Sequence, residues 1–179
     1  MINSNIHENI KDYISEQLFD PWINTPFYGY RFLGNKQKGE LGERIISMIF
    51  ENKNHKIERA ETATAGYDRI IDGIKTEIKF SLAHTDIKKR KIRADVFTMN
   101  HVAEKKDWER LIFLGINPDE KNIRSVYVTK ENFSKCLKTN LYFSKQQGGK
   151  NSANDDYMIA GKKLIEFIES PFVNHISEW

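Results

Sequence analysis

A short hairpin in the middle of the chain carries the residues whose types and spacing could do chemistry. Its turn is the dipeptide Asp72-Gly73, which lies between strand-like runs at 67–71 and 74–80. Asp-Gly between two such runs predicts a two-residue hairpin turn, because that turn type needs positive φ. The turn sets the register of the two strands, and in this register Asp68 faces Glu77.

Three polar side chains of this hairpin, those of Asp68, Glu77 and Lys79, should project from one face, because side chains alternate along a strand. Two carboxylates directly opposite each other would have Cβ atoms about 4.5–5.5 Å apart and would repel. A divalent cation removes that repulsion, and Mg²⁺ is held by a few carboxylate oxygens together with waters. The hairpin therefore predicts metal-assisted phosphodiester hydrolysis, with Asp68 and Glu77 as metal ligands.

Lys79 follows Glu77 on the same strand face, about 6–7 Å along the strand. That spacing suits a lysine that orients an attacking water or stabilises charge on a phosphate, rather than one paired tightly with Glu77. We expect these groups on a solvated face of the sheet. The opposite face of the hairpin should carry the core residues Ile71, Ile74, Thr76 and Ile78.

The alternative is an ordinary charged hairpin, because Glu-x-Lys triplets are common in lysine-rich chains. This chain has three of them, beginning at Glu51, Glu77 and Glu104. The first lies at a predicted helix end and the third, which ends at Lys106, lies in a charged segment. Only the middle triplet lies in an alternating strand opposite an aspartate, and this context favours the catalytic interpretation.

A further carboxylate precedes the hairpin on a predicted helix at 38–52. The apolar stripe of this helix places Glu43 at its edge and Glu40 further towards solvent. Gly39 and Gly42 should lie on or near the packed side, where each costs about 1 kcal/mol of helix propensity. Glu43 is therefore the better candidate for a supporting carboxylate and Glu40 the second, unless both are ordinary surface residues.

Taken in order, the Gly39-x-x-Gly42-Glu43 helix, Asp68 and Glu77-Ile-Lys79 resemble the PD-(D/E)xK nuclease superfamily, and most closely its small type II restriction endonucleases. The resemblance covers roughly residues 38–130 and implies a restriction-endonuclease-like core of helix, hairpin and further strands. It also implies that Asp68 and Glu77 bind Mg²⁺, that Lys79 is the catalytic lysine and that Glu43 is the helix carboxylate. Tyr67 stands where the family often has proline.

Two segments are candidates for DNA contacts in a chain whose net charge is +3. Lys89 and Arg90 belong to a basic cluster at 88–93, which favours phosphate contacts or else a solvated surface. The polar segment 144–156 is either a connector or a base-reading loop, because glutamine and asparagine pair with adenine and lysine with guanine. Its candidate DNA-binding residues are Gln147, Lys150 and Asn151.

The sequence predicts helices on both sides of a group of strands in the middle of the chain, and these elements must position the candidate residues. Apolar spacing predicts helices ending before Asp20, then at 38–52, around 95–105, at 131–137 and at 160–168. Strand-like runs lie at 56–60, 67–71, 74–80, 111–116 and 124–129. This order predicts an α/β fold in which a small mixed β-sheet is flanked by α-helices.

We expect one domain over 1–179, with a core at 38–130, an N-terminal helix and aromatic segment at 1–37, and C-terminal helices with the polar loop at 131–179.

Composition adds several exclusions. Hydrophobic residues make up 39% and charged residues 30% of the 179 residues, which is typical of a folded, soluble chain. No apolar run approaches a membrane span, and the N-terminus lacks the basic start and apolar stretch of a signal peptide. Cys136 is the single cysteine, so an intrachain disulfide and a cysteine zinc site are excluded. We therefore expect a cytoplasmic protein.

These features together predict a homodimeric, Mg²⁺-dependent type II restriction endonuclease that cuts double-stranded DNA. The dimer is expected because two-fold symmetry matches palindromic sites. One alternative is a structure-selective or repair nuclease of the same fold, such as a junction resolvase or a nickase. The other is a non-catalytic DNA-binding module, which would have no need to keep opposed carboxylates.

Overall fold

The computed structural model describes residues 4–62, 64–119, 122–146 and 154–179. The α-helices are α1 (Ser4–Leu18), α2 (Asn35–Glu51), α3 (Lys130–Thr139) and α4 (Lys162–Ile168), and short 3-10 helices lie at Tyr30–Phe32 and Ile176–Glu178. The strands are β1 (Ile57–Arg59), β2 (Arg69–Ile71), β3 (Ile74–Leu82), β4 (Thr85–Asp86), β5 (Lys91–Ile92), β6 (Thr98–Val102), β7 (Arg110–Ile116), β8 (Ile123–Thr129), β9 (Ser144–Lys145), β10 (Tyr157–Ala160) and β11 (Asn174–His175).

The main sheet has six strands in the order β1-β2-β3-β7-β8-β11. β3 and β7 run parallel and the other neighbours run antiparallel, so the sheet is mixed. A second sheet has the order β6-β10-β9, and β4 pairs with β5. The predicted α/β class, a mixed sheet flanked by helices, is confirmed.

The predicted hairpin register is confirmed by the strand pairs Arg69–Thr76, Ile70–Lys75 and Ile71–Ile74. Asp72 and Gly73 both have positive φ, as the predicted turn requires. The ladder ends one residue before Asp68, whose N–H donates to the Thr76 carbonyl at 2.9 Å. Asp68 is therefore not a regular ladder partner of Glu77.

Both faces of the central strands are covered, which leaves the site in a partly enclosed position. Helix α2 packs on one face through Ile46 and Phe50, and the Phe50 ring meets that of Trp179 edge-on at 4.9 Å. On the opposite face, Phe97 packs against Phe113, with ring centroids 6.0 Å apart. The core thus has two layers, one on each side of the main sheet.

The segment 95–105, for which the sequence predicted a helix, is a strand instead. β6 occupies Thr98–Val102 and pairs antiparallel with β10, with a register shift in the ladder. Phe97 and Met99 alternate into the core, and the long-range partner β10 supplies the hydrogen bonds. The helix prediction was wrong because strand formation here depends on this distant pairing more than on local pattern.

Helix α1 ends at Leu18, before Asp20, as predicted. Every side chain from Ile6 to Leu18 is exposed, including the apolar stripe that marked the helix in the sequence. In the described part of the chain, none of the helices has the length and apolar character needed to cross a membrane.

Gly42 is the position where α2 comes closest to the sheet. A Cβ atom at Gly42 would lie 2.3 Å from the Phe80 Cβ, whereas one at Gly39 would meet nothing within 4 Å. Gly42 therefore lies on the packed side as predicted, and the same prediction for Gly39 was wrong because that residue is exposed.

These two glycines form a matched pair for a stability measurement. Gly42→Ala should lower the free energy of unfolding by about 1–3 kcal/mol, because overpacking must displace Phe80 or α2. Gly39→Ala should raise it by about 1 kcal/mol, because alanine is the better helix former and has free space. Denaturant unfolding of both variants checks this, and equal shifts of the same sign would contradict the packing described here.

Candidate active site

Glu77 is a buried acid in the middle of the sheet, with only 3% of its surface exposed. Its strand, β3, lies between β2 and β7, so neighbouring strands cover both of its edges. The Lys79 Nζ lies 2.8 Å from Glu77 Oε1, and the Lys106 Nζ lies 3.3 Å from the same oxygen. The solvated face predicted for Glu77 was therefore wrong, as was the prediction that Lys79 stands apart from it.

Asp68 lies at the end of β2, beside the backbone of β3. Its Oδ2 accepts a hydrogen bond of 2.7 Å from the Ile78 N–H. Burial first, and then the negative charges of Glu77 and Glu43, raise the pKa of the Asp68 carboxyl to about 6, against the opposing effects of the Ile78 hydrogen bond and of Lys79. The negative charge of Glu77 thus acts on Asp68, although the ladder ends before Asp68 and the two are not the regular opposed pair that the hairpin predicted.

Glu43 reaches the same region from α2. Its Oε2 lies 2.7 Å from Arg69 NH1, and the Arg69 guanidinium also donates to the Asp68 carbonyl and to the Ser47 hydroxyl. Glu40 instead lies on the exposed side of the helix, 3.9 Å from Lys36. The structure therefore brings Glu43, the preferred helix carboxylate of the sequence prediction, close to Asp68.

Lys106 is a member of the site that the sequence analysis missed, because it belongs to a triplet that was set aside. It lies on the loop 103–107, which joins β6 to β7. A Cβ at Gly66 would lie 2.4 Å from the Asp107 backbone nitrogen, so only glycine lets the segment before Asp68 approach this loop so closely. Glu77 and Lys106 are 29 positions apart in the sequence, so no local pattern reveals their contact.

Opposite charges balance in this group of described side chains. The acids are Asp68, Glu77 and Glu43, and the cations are Lys79, Lys106 and Arg69. The pKa of Asp68 is raised, and its carboxylate accepts a hydrogen bond from the Ile78 N–H. Of the three acids, Asp68 is therefore the one at which we expect a cation to bind most favourably.

The donor chemistry at this point suits Mg²⁺. Asp68 and Glu77 offer carboxylate oxygens, the hard ligands that this ion prefers, and the ion usually keeps several waters besides one or two carboxylates. Within the described residues, no group of three or more His, Cys, Asp or Glu side chains is placed to hold a metal. A Mg²⁺ ion at this point would be held by the carboxylates of Asp68 and Glu77 together with waters, not by a closed protein cage.

Two of the five residues predicted to contact DNA lie in the described part of the chain. Lys89 and Arg90 lie in the exposed turn between β4 and β5, directly after the strand that carries Glu77. Lys89 lies 4.0 Å from Asp86, and the Arg90 guanidinium stacks over the Phe19 ring at 5.5 Å. The other three residues, Gln147, Lys150 and Asn151, fall outside the described residues.

No known protein family matches the chain, and no curated protein is similar to it in sequence. Among solved structures, the chain is similar to a bacterial homing endonuclease, I-Ssp6803I, with a TM-score of 0.41 and 10% sequence identity. The similarity covers 57% of this chain and 74% of that chain. At this level of similarity, the function has to be argued from the site itself.

Proposed function

We propose that this chain is a Mg²⁺-dependent nuclease that hydrolyses phosphodiester bonds of double-stranded DNA, and more specifically a type II restriction endonuclease. The observation that carries the proposal is the buried Glu77 carboxylate, which shares one oxygen between two lysines beside Asp68. One cation is enough for a purely structural ion pair with Glu77. Hydrolysis of a phosphodiester would need two acids to bind a metal ion and, in addition, positive side chains to stabilise the negative charge of the phosphate.

Asp68 and Glu77 would hold the metal, which supplies positive charge to polarise the phosphate and to acidify a water. Asp68 must be ionised to act as a ligand, so its raised pKa makes metal binding release a proton near pH 6. Glu43 and Arg69, which are paired with each other, would position Asp68 through the Arg69 contact to the Asp68 carbonyl.

Lys79 is the residue proposed to orient the attacking water. It is 18% exposed and is tied to Glu77 at 2.8 Å, so its ammonium group is held in a defined place. An ammonium group at that position stabilises negative charge that builds up on the phosphate during attack.

The DNA partner and the homodimer are part of the same proposal. Palindromic sites are matched by two-fold symmetric proteins, so a site-specific enzyme of this size should act as a dimer. Lys89 and Arg90 are proposed as phosphate contacts, since such contacts position a protein on DNA without reading its sequence. Gln147, Lys150 and Asn151 are proposed as base contacts.

Digestion of phage DNA tests the proposal. Purified protein with Mg²⁺ should yield a reproducible set of discrete fragments, and mapping their ends gives the recognition sequence. Nicking, or cutting confined to branched DNA, would instead indicate a structure-selective nuclease with the same site. Binding of DNA with no cutting under any divalent cation would contradict the nuclease proposal altogether.

A further inference from the structure

Two lysines contact one oxygen of Glu77, although a single ammonium group would neutralise that carboxylate. Lys79 comes from β3 itself and is 18% exposed, whereas Lys106 comes from the loop 103–107 and is 44% exposed. The Lys106 contact is also the longer one, at 3.3 Å compared with 2.8 Å. Lys106 is thus the lysine with both access to solvent and the weaker hold on Glu77.

The loop that carries Lys106 is held in place on several sides. The Asp155 carboxylate accepts hydrogen bonds from the backbone N–H groups of Glu104 and Lys105, at 3.0 and 2.6 Å. Lys130 donates its Nζ to the Lys106 carbonyl at 2.5 Å, and the buried Trp108 donates its indole N–H to the Ala103 carbonyl at 2.8 Å.

These anchors hold the backbone of Lys106 in place, and its half-exposed side chain reaches Glu77 from there. The loop places the Lys106 ammonium group beside a buried carboxylate. Because the fold already orders the backbone of this loop, holding the positive charge there costs little further conformational entropy. Asp155 is central to this arrangement, since its carboxylate accepts hydrogen bonds from the two consecutive N–H groups immediately before Lys106.

We propose that Lys106 is a second catalytic lysine, which leaves Glu77 to bind a non-bridging oxygen of the phosphodiester that is cut. Asp155 is its positioning residue and acts through the loop 103–107. This inference rests on the proposed nuclease function and adds to it a specific contact to the substrate. Lys79 keeps its contact with Glu77 and the role proposed for it above, and Lys106 adds a second ammonium group at the phosphate.

The physical reason is the change in charge when the site fills. Without ligands, three acids and three cations balance. A divalent cation held by Asp68 and Glu77 would add positive charge beside the ammonium groups, and the more exposed of the two lysines would move at the lower cost. The arriving phosphate carries the negative charge that such a displaced ammonium group would pair with.

The test is single-turnover cleavage of phage DNA by Lys106→Gln and Lys106→Arg, with Lys162→Gln, at an exposed lysine on α4, as the control. Lys106→Gln should lower the rate constant at saturating enzyme about 100- to 1,000-fold, the usual effect of losing one donor to a developing charge. The enzyme concentration that gives half-maximal rate should change much less. Lys106→Arg should recover at least a tenth of the rate, and Lys162→Gln should cut at the wild-type rate constant.

Asp155→Ala gives the second readout. It should lower the same rate constant, and combining it with Lys106→Gln should add little further loss, because the two residues act through one contact. The melting temperature of Lys106→Gln should match the wild type, because its side chain is half exposed. The inference is overturned if Lys106→Gln cuts normally, or if Lys106→Arg is as impaired as Lys106→Gln. Wild-type protein that does not cut DNA at all would instead overturn the proposed function.

Discussion

Replacing Glu77 or Lys79 by alanine should reduce DNA cleavage by several orders of magnitude while leaving a folded protein. Glu77 is proposed to hold the cation, and Lys79 is proposed to stabilise the charge that develops on the phosphate. Loss of either group removes an interaction that is strongest in the transition state, so the rate constant falls rather than DNA affinity. Single-turnover rates at saturating enzyme, with thermal unfolding as a check on the fold, measure this effect.

The chain provides its own control for this experiment. Glu51 begins another Glu-x-Lys triplet but lies exposed at the end of α2, so Glu51→Ala should cut normally. It is a cleaner control than Glu104, whose backbone N–H belongs to the loop that places Lys106. An inactive Glu51→Ala together with an active Glu77→Ala would show that the hairpin is not the catalytic centre.

Asp68→Asn should stabilise the metal-free protein at pH 8 and have little effect at pH 4. The pKa of Asp68 is about 6 in the folded state, above the ordinary aspartate value of 3.8. A raised folded-state pKa means that the stability contributed by the protonated acid is present below about pH 4 and is lost as pH rises through 6. Because each pKa unit corresponds to about 1.4 kcal/mol, the gain at pH 8 should be on the order of 2–3 kcal/mol.

Asparagine suits this test because it has no charge to bury and keeps an oxygen that can accept the Ile78 N–H. For a chain of this length the gain corresponds to about 5–10 °C in melting temperature, measured in EDTA at several pH values. Asp12→Asn, on the exposed helix α1, is the control and should change the melting temperature little at any pH. If Asp68→Asn lowers the melting temperature equally at every pH, burial does not penalise the Asp68 carboxylate as described here.

The hairpin could be predicted from the sequence because everything that specifies it is local. Asp72-Gly73 selects the turn, the turn sets the register, and the alternation of apolar residues identifies the buried face. The same local logic identified α2 and placed Glu43 rather than Glu40 near the site. Prediction succeeded for the turn, for the register and for the choice of Glu43, where the signal lies within one hairpin or one helix.

The environment of Glu77 could not be predicted, because it depends on distant parts of the chain. Its burial follows from β7 lying beside β3 in parallel, a pairing that no turn specifies. Its second cation, Lys106, arrives from a loop whose place depends on Asp155, about fifty residues further along the chain. β6 was mistaken for a helix for the same reason, since its partner β10 is equally remote.

The metal dependence of cleavage tests the central claim most directly. Supercoiled plasmid DNA should be cut by the wild-type protein in Mg²⁺ or Mn²⁺ and left intact in EDTA. Ca²⁺ should support DNA binding with little cutting, because its longer and looser coordination misplaces the attacking water. Full cleavage in EDTA would contradict the proposal that Asp68 and Glu77 hold a catalytic cation.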